Sequence, residues 1–98
     1  MVLRIFSVQV GPGQEAVLEP IEDQTAVKYR EAKGCRSVTF FMDAAKGEYG
    51  TASVWEGEAD IRRFVESGVL APLIARVKPL LKAPPVERIY AVYEPKSL

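Results

Sequence analysis

The alternation of apolar and polar positions sets out the elements. Val2 to Val10 is rich in β-branched and aromatic residues and is stopped by Gly11-Pro12-Gly13, which predicts a strand closed by a turn. From Gln14 the period changes: Leu18, Ile21, Thr25, Tyr29 and Ala32 recur three or four residues apart. Glu15, Glu19, Glu22, Lys28 and Lys33 populate the rest of this surface, the pattern of an amphipathic helix that stops at Gly34. Pro20 lies inside it and predicts a kink, because its ring opposes the carbonyl four residues back. Cys35 to Asp43 and Glu48 to Glu56 read as two strands joined by a hairpin through Ala-Ala-Lys-Gly at 44–47. A second helix is predicted after Gly57, with Glu58 and Asp60 at its positive end and Ile61, Phe64 and Val65 on its apolar face. Ser67 and Gly68 interrupt it. It resumes near Pro72, with Leu70, Leu73, Ile74, Val77, Leu80 and Leu81 as its apolar positions, until Pro84 and Pro85 end it. Val86 to Tyr93 is the last predicted strand.

The order β-α-β-β-α-β predicts an α+β, ferredoxin-like domain spanning residues 1–98, a four-stranded antiparallel sheet with both helices on one face. Such a sheet needs only one apolar face. Here Leu3 and Ile5 oppose Val2, Phe6, Val8 and Val10, and Phe41 opposes Val38, Phe40 and Met42. In the last strand Ile89, Ala91 and Tyr93 oppose Val86, Tyr90 and Val92. Two helices cover one side only, so the expectation is a homodimer that buries the second face.

Composition narrows the function classes. With 13 basic and 13 acidic residues in 98 and a pI near 6.3, the chain has no global field to concentrate nucleic acid or anionic membrane. No apolar run approaches the ~20 residues of a membrane span. The single cysteine, Cys35, makes no internal disulfide and suits a cytoplasmic location. There is no histidine, so Cys-His catalysis is excluded, and neither a metal site nor a metal cofactor is expected.

The segment Val54-Trp55-Glu56 followed by Glu58 to Phe64, and the stretch Val77 to Pro85 leading into the last strand, resemble the antibiotic biosynthesis monooxygenase family of dimeric α+β barrels. The resemblance covers nearly the whole chain. It implies a cofactor-independent monooxygenase acting on a small phenolic or quinol-type compound; the alternative is a non-catalytic dimeric module that binds a small hydrophobic ligand or a protein partner. In the polyketide-type oxygenases of the family an asparagine four residues before the tryptophan helps to hold the substrate, and that position is Thr51 here. The haem-degrading members use a histidine ligand, which this chain lacks.

Beside that resemblance, the residues supply their own candidates. Gly11, Gly13 and Ala16 fit a dinucleotide pattern, but Pro12 removes an amide from the loop and the next strand is expected to pair antiparallel, so a tight turn is the reading. Cys35, between Lys33 and Arg36, is a candidate thiolate or a half-buried strand residue. Asp43, Glu48, Tyr49, Tyr90 and Tyr93 are candidates for proton transfer or phenol binding. Arg36 or Arg88 would stabilise a substrate anion, and Thr51 would hydrogen-bond it. Trp55, at a strand-to-helix junction, is either a wall of the pocket or a packing residue. The expected substrate-binding set is Trp55, Thr51, Arg36, Tyr49 and Arg88.

Overall fold

The computed structural model describes residues 1–96. Along the chain run β1 (Val2–Gln9), α1 (Glu15–Glu31), β2 (Cys35–Asp43), β3 (Glu48–Trp55), α2 (Glu58–Glu66), α3 (Ala71–Val77), a single 3-10 turn (Lys78–Leu80) and β4 (Val86–Ala91). The ferredoxin-like order is present, with three helices where two were expected. The break falls at Gly68, whose φ of +78° ends α2, and Pro72 then sits in the first turn of α3, where a missing amide is tolerated. α1 is one helix through Pro20. β4 ends at Ala91, short of Tyr93, although the amide of Val92 still donates to the Met1 carbonyl at 2.9 Å.

The strands lie in the order β2-β3-β1-β4, every neighbouring pair antiparallel. Val2 faces Trp55, Arg4 faces Ser53, Phe6 faces Thr51 and Val8 faces Tyr49. Because side chains alternate, these eight share the face beneath the helices. Leu3, Ile5, Phe41, Ala52, Val54, Val86 and Tyr90 point the other way. On that outer side the Phe41 ring covers Gly50 so closely that a Cβ there would stand 2.4 Å from it. Val86, Tyr90 and Val92 are exposed.

Two apolar clusters form under the helices. Tyr29, Trp55, Ile61 and Phe64 make one. Val10, Leu18, Ile21, Tyr49 and Leu73 make the other, and Leu70 packs against both. Trp55 is 0% exposed; its ring lies 5.2 Å from Phe64 and 6.1 Å from Tyr29, and its Nε1 donates to Ser53 Oγ at 2.8 Å. The indole N–H thus finds its partner two residues back on the same strand, which lets the ring be sealed completely.

Backbone contacts fix the ends of the sheet. Gly47, at the tip of the β2–β3 hairpin, has φ +69°, and a Cβ there would fall 2.0 Å from the carbonyl carbon of Gly11. The Gly47 carbonyl in turn accepts from the Val10 amide at 2.8 Å. Gly11 is therefore a turn and packing residue between antiparallel strands, not part of a phosphate cradle.

Since Trp55 is the only tryptophan, its emission reports on this sealed cluster. Native emission is expected to be blue-shifted from the urea-unfolded chain. Trp55→Phe should cost about 2 kcal/mol in urea denaturation, by loss of buried ring volume and of the Ser53 hydrogen bond.

Candidate functional site

Between the two clusters the helices stand away from the sheet and leave a cavity of about 120 Å³. Phe6, Val8, Leu18, Ile21, Phe40, Leu73 and Val77 supply apolar walls. The polar groups come mainly from the middle of the sheet and from α1: Arg4, Tyr29, Tyr49, Thr51, Glu22 and Thr25.

Arg4 is the unusual member. Its position in β1 puts it in line with Val2, Phe6 and Val8 on the helix side, and it is only 4% exposed. A buried guanidinium must be paired. Its Nε donates to Glu87 Oε2 on β4 at 2.7 Å, its Nη1 donates to the Tyr29 hydroxyl at 2.7 Å, and its charged carbon lies 4.9 Å from the centre of the Phe6 ring. Tyr29 in turn lies 3.2 Å from Thr51 Oγ1. A continuous polar chain thus runs from Glu87, whose side chain is 44% exposed, through Arg4 and Tyr29 to Thr51 at the cavity wall.

Two further groups complete the lining. Tyr49 is 3% exposed and its hydroxyl has no hydrogen-bond partner among the described residues. Burial, reinforced by the charges of Glu15 and Glu22, raises its pKa above the usual phenol value, so it keeps its proton at neutral pH. Burial likewise raises the pKa of Glu22, with help from Asp23 and Glu19. Glu22 thus stands at the edge of an apolar cavity with its ionised form disfavoured by burial, so it holds a proton more readily than a fully solvated carboxylate.

Of the five residues expected from sequence, Thr51 and Tyr49 line the cavity together. Trp55 does not reach it and belongs to the sealed cluster beneath α2. Arg36 sits at an irregularity in the β2–β3 pairing and makes an exposed 2.6 Å ion pair with Glu56. Arg88 points to the outer face of the sheet, because its neighbour Glu87 is the residue that meets Arg4. Asp43 Oδ1 accepts from the Lys46 amide in the hairpin, Glu48 accepts from Gln9, and Tyr90 and Tyr93 are exposed. The Cys35 thiol contacts the Ser37 carbonyl at 3.6 Å, and burial pushes its pKa up, opposite to an activated thiol. Among the described residues no group of three or more Cys, Asp or Glu side chains is arranged to hold a metal ion.

Arg4, Tyr29 and Glu22 were not among the expected site residues. The signal for Arg4 was present: it is the one charge in the alternate series Val2-Arg4-Phe6-Val8.

No family model matches the chain, and neither does any curated protein. Solved structures do match over nearly its whole length. Rv0793 from Mycobacterium tuberculosis is 21% identical with a TM-score of 0.81, covering 97% of each chain. A crystal structure named antibiotic biosynthesis monooxygenase is 14% identical with a TM-score of 0.84, covering 96% of this chain and 100% of that one. SnoaB, a cofactor-independent oxygenase from Streptomyces nogalater, is 17% identical with a TM-score of 0.79, covering 97% and 95%. The chain therefore has the ferredoxin-like α+β fold of the structures that carry the antibiotic biosynthesis monooxygenase name. No helix among the described residues is long and apolar enough to cross a membrane.

The Glu22 shift has a consequence for stability. A carboxyl whose pKa is raised on folding contributes stability that is fully present below the ordinary carboxylate value and is lost as pH rises through the folded value. Glu22→Gln stays neutral throughout. It should match the wild type in urea denaturation at about pH 4 and exceed it at about pH 7.

Proposed function

We propose that this chain is a homodimeric, cofactor-independent oxygenase of a small phenol or quinol bound in the cavity between sheet and helices. The observation that carries the reading is the cavity itself: apolar walls, one raised carboxyl, and a polar chain anchored on buried Arg4. Size narrows the substrate. A dry cavity of about 150 Å³ holds benzene, so 120 Å³ suits a single ring and is small for a fused polycycle.

The chemistry balances without a reductant. Glu22 takes the phenol proton, Thr51 and Tyr49 hydrogen-bond the resulting anion, and the apolar walls exclude water while the electron-rich ring reacts with dioxygen. In a phenol with an open para position, the ring C–H there becomes C=O. One oxygen atom enters the product as the new quinone carbonyl, and the other leaves as water with the two hydrogens lost from carbon and oxygen. Both electron pairs come from the substrate.

The likeness in fold to SnoaB, itself a cofactor-independent oxygenase, supports this reaction class. The outer sheet face supports the dimer: Leu3, Ile5, Phe41 and Val54 lie there, and Val86, Tyr90 and Val92 add exposed apolar surface to it.

Oxygen uptake with single-ring phenols and quinols, without added metal or flavin, tests the reaction. Uptake is expected with at least one of them, and Glu22→Gln should slow it about 100-fold, the scale of a lost general base. Silence across the panel from a protein that binds these compounds would make it a binding module instead. Light scattering at micromolar concentration should give twice the chain mass. Ile5→Lys, which sets a charge in the outer face, should shift the protein to the monomer and destabilise it; a wild-type monomer overturns the assembly.

A further inference from the structure

We infer that Arg4 and Tyr29 are positioning residues that commit the Thr51 hydroxyl to donate into the cavity, so that the site takes its ligand with an acceptor oxygen, as a phenolate or enolate anion. The inference rests on the cavity being the ligand site, as proposed above.

The argument is one of proton direction. Arginine only donates, so the 2.7 Å contact from Arg4 Nη1 makes the Tyr29 oxygen an acceptor. The Tyr29 proton then needs an acceptor of its own. Thr51 Oγ1, at 3.2 Å, is the one side-chain oxygen among the described residues within reach. Were Thr51 to donate to Tyr29 instead, the leftover proton would sit on Tyr29, which is 1% exposed, rather than on the more accessible Thr51, and the phenol polarised by Arg4 is the stronger donor of the two. The favoured direction is therefore Arg4 to Tyr29 to Thr51. Thr51 spends a lone pair on Tyr29 and keeps its own proton free.

That proton has no acceptor among the described side chains, and Thr51, 6% exposed, lines the cavity. Each donor in the series polarises the next, which strengthens the last one. Glu87 holds the guanidinium from the far side through Nε, so its charge is partly compensated while Nη1 stays fixed on Tyr29. Tyr49, two residues along β3 on the same face, brings a second hydroxyl with no partner. The centre of the cavity thus presents donors, and its one carboxylate belongs to Glu22 on α1. An anionic oxygen beside Thr51 accepts its free proton. A neutral phenol brings a further proton to a place already supplied with them.

The test uses 4-nitrophenol, a single-ring phenol whose absorbance reports its own ionisation. Bound to the wild type, its pKa should fall by about one pH unit, a tenfold preference for the anion. Thr51→Val should abolish most of that fall, and Thr51→Ser, which keeps the hydroxyl, should restore it. Tyr29→Phe keeps the ring packed against Trp55 and Phe64 and should lose as much as Thr51→Val, because the Thr51 hydroxyl then loses the bond that fixes its direction and polarises it. The double variant should lose no more than either single one, since both remove the same directed donor. Melting curves confirm that each variant is folded. A bound pKa at or above the free value overturns the inference, as do additive losses in the double variant, full retention in Tyr29→Phe, or failure of 4-nitrophenol to bind. Failures of the two proposals are distinguishable: a lowered pKa without oxygen uptake leaves the relay standing and removes the oxygenase, whereas uptake with an unshifted pKa does the reverse.

Discussion

A guanidinium enclosed between a sheet and its helices is the constraint around which the rest of this molecule is arranged. Arg4 cannot be left alone at that depth, and its partners come from three separate parts of the chain: Glu87 on β4, Tyr29 on α1 and, through Tyr29, Thr51 on β3. One side chain therefore ties an edge strand, the long helix and a central strand to a common point. Apolar residues in place of the whole set of partners would often serve the core as well, whereas removing the arginine alone would strand the groups paired to it. What the arginine adds is direction, because each partner must present an oxygen at a particular place.

The same arrangement explains why the space beneath the helices is divided. Trp55, Phe64 and Ile61 close the end under α2, while Leu18, Ile21, Leu73 and Tyr49 pack the other end. Polar atoms at the middle of the sheet prevent the two clusters from merging, and the cavity occupies the interval. Tyr29 belongs to both worlds: its ring packs 4.9 Å from Phe64, and its hydroxyl serves the polar chain.

Much of the fold was legible in the sequence, for local reasons. Alternation in Val2 to Val10, glycines at the turns and prolines near the helix starts act over a few residues, and the structure follows them. The split into α2 and α3 was marked by Ser67 and Gly68, yet two helices were expected as one, because nothing local says how far the chain turns at Gly68 before helix resumes. The site was less legible. Thr51 and Tyr49 share a strand face, which alternation reveals, and both reach the cavity. Arg36 and Arg88 are also strand residues, but a pairing irregularity at one and the outward parity of the other direct them away from it. Glu22 looks like any solvated helix carboxylate until the sheet lies beneath it. For Trp55, a junction position fits a pocket wall and a sealed core equally well; the Ser53 hydroxyl, which lets the indole N–H be buried, decides where it lies.

The contact between Gly47 and Gly11 bears on how such a chain can diverge. The Gly11 backbone leaves no room for a β-carbon on Gly47, and Gly11 itself holds φ +78°, so neither of these two positions readily accepts another residue. Novelty in ligand choice has to enter elsewhere. The open ground is the run from Leu70 to Pro85, which contributes Leu73, Ile74, Val77, Lys78 and Leu81 to the cavity and is stitched to β1 by the Lys82 amide on the Gln9 carbonyl. A lineage could redraw that strap many times over while the floor under it, pinned by two glycines and one arginine, stays as it is.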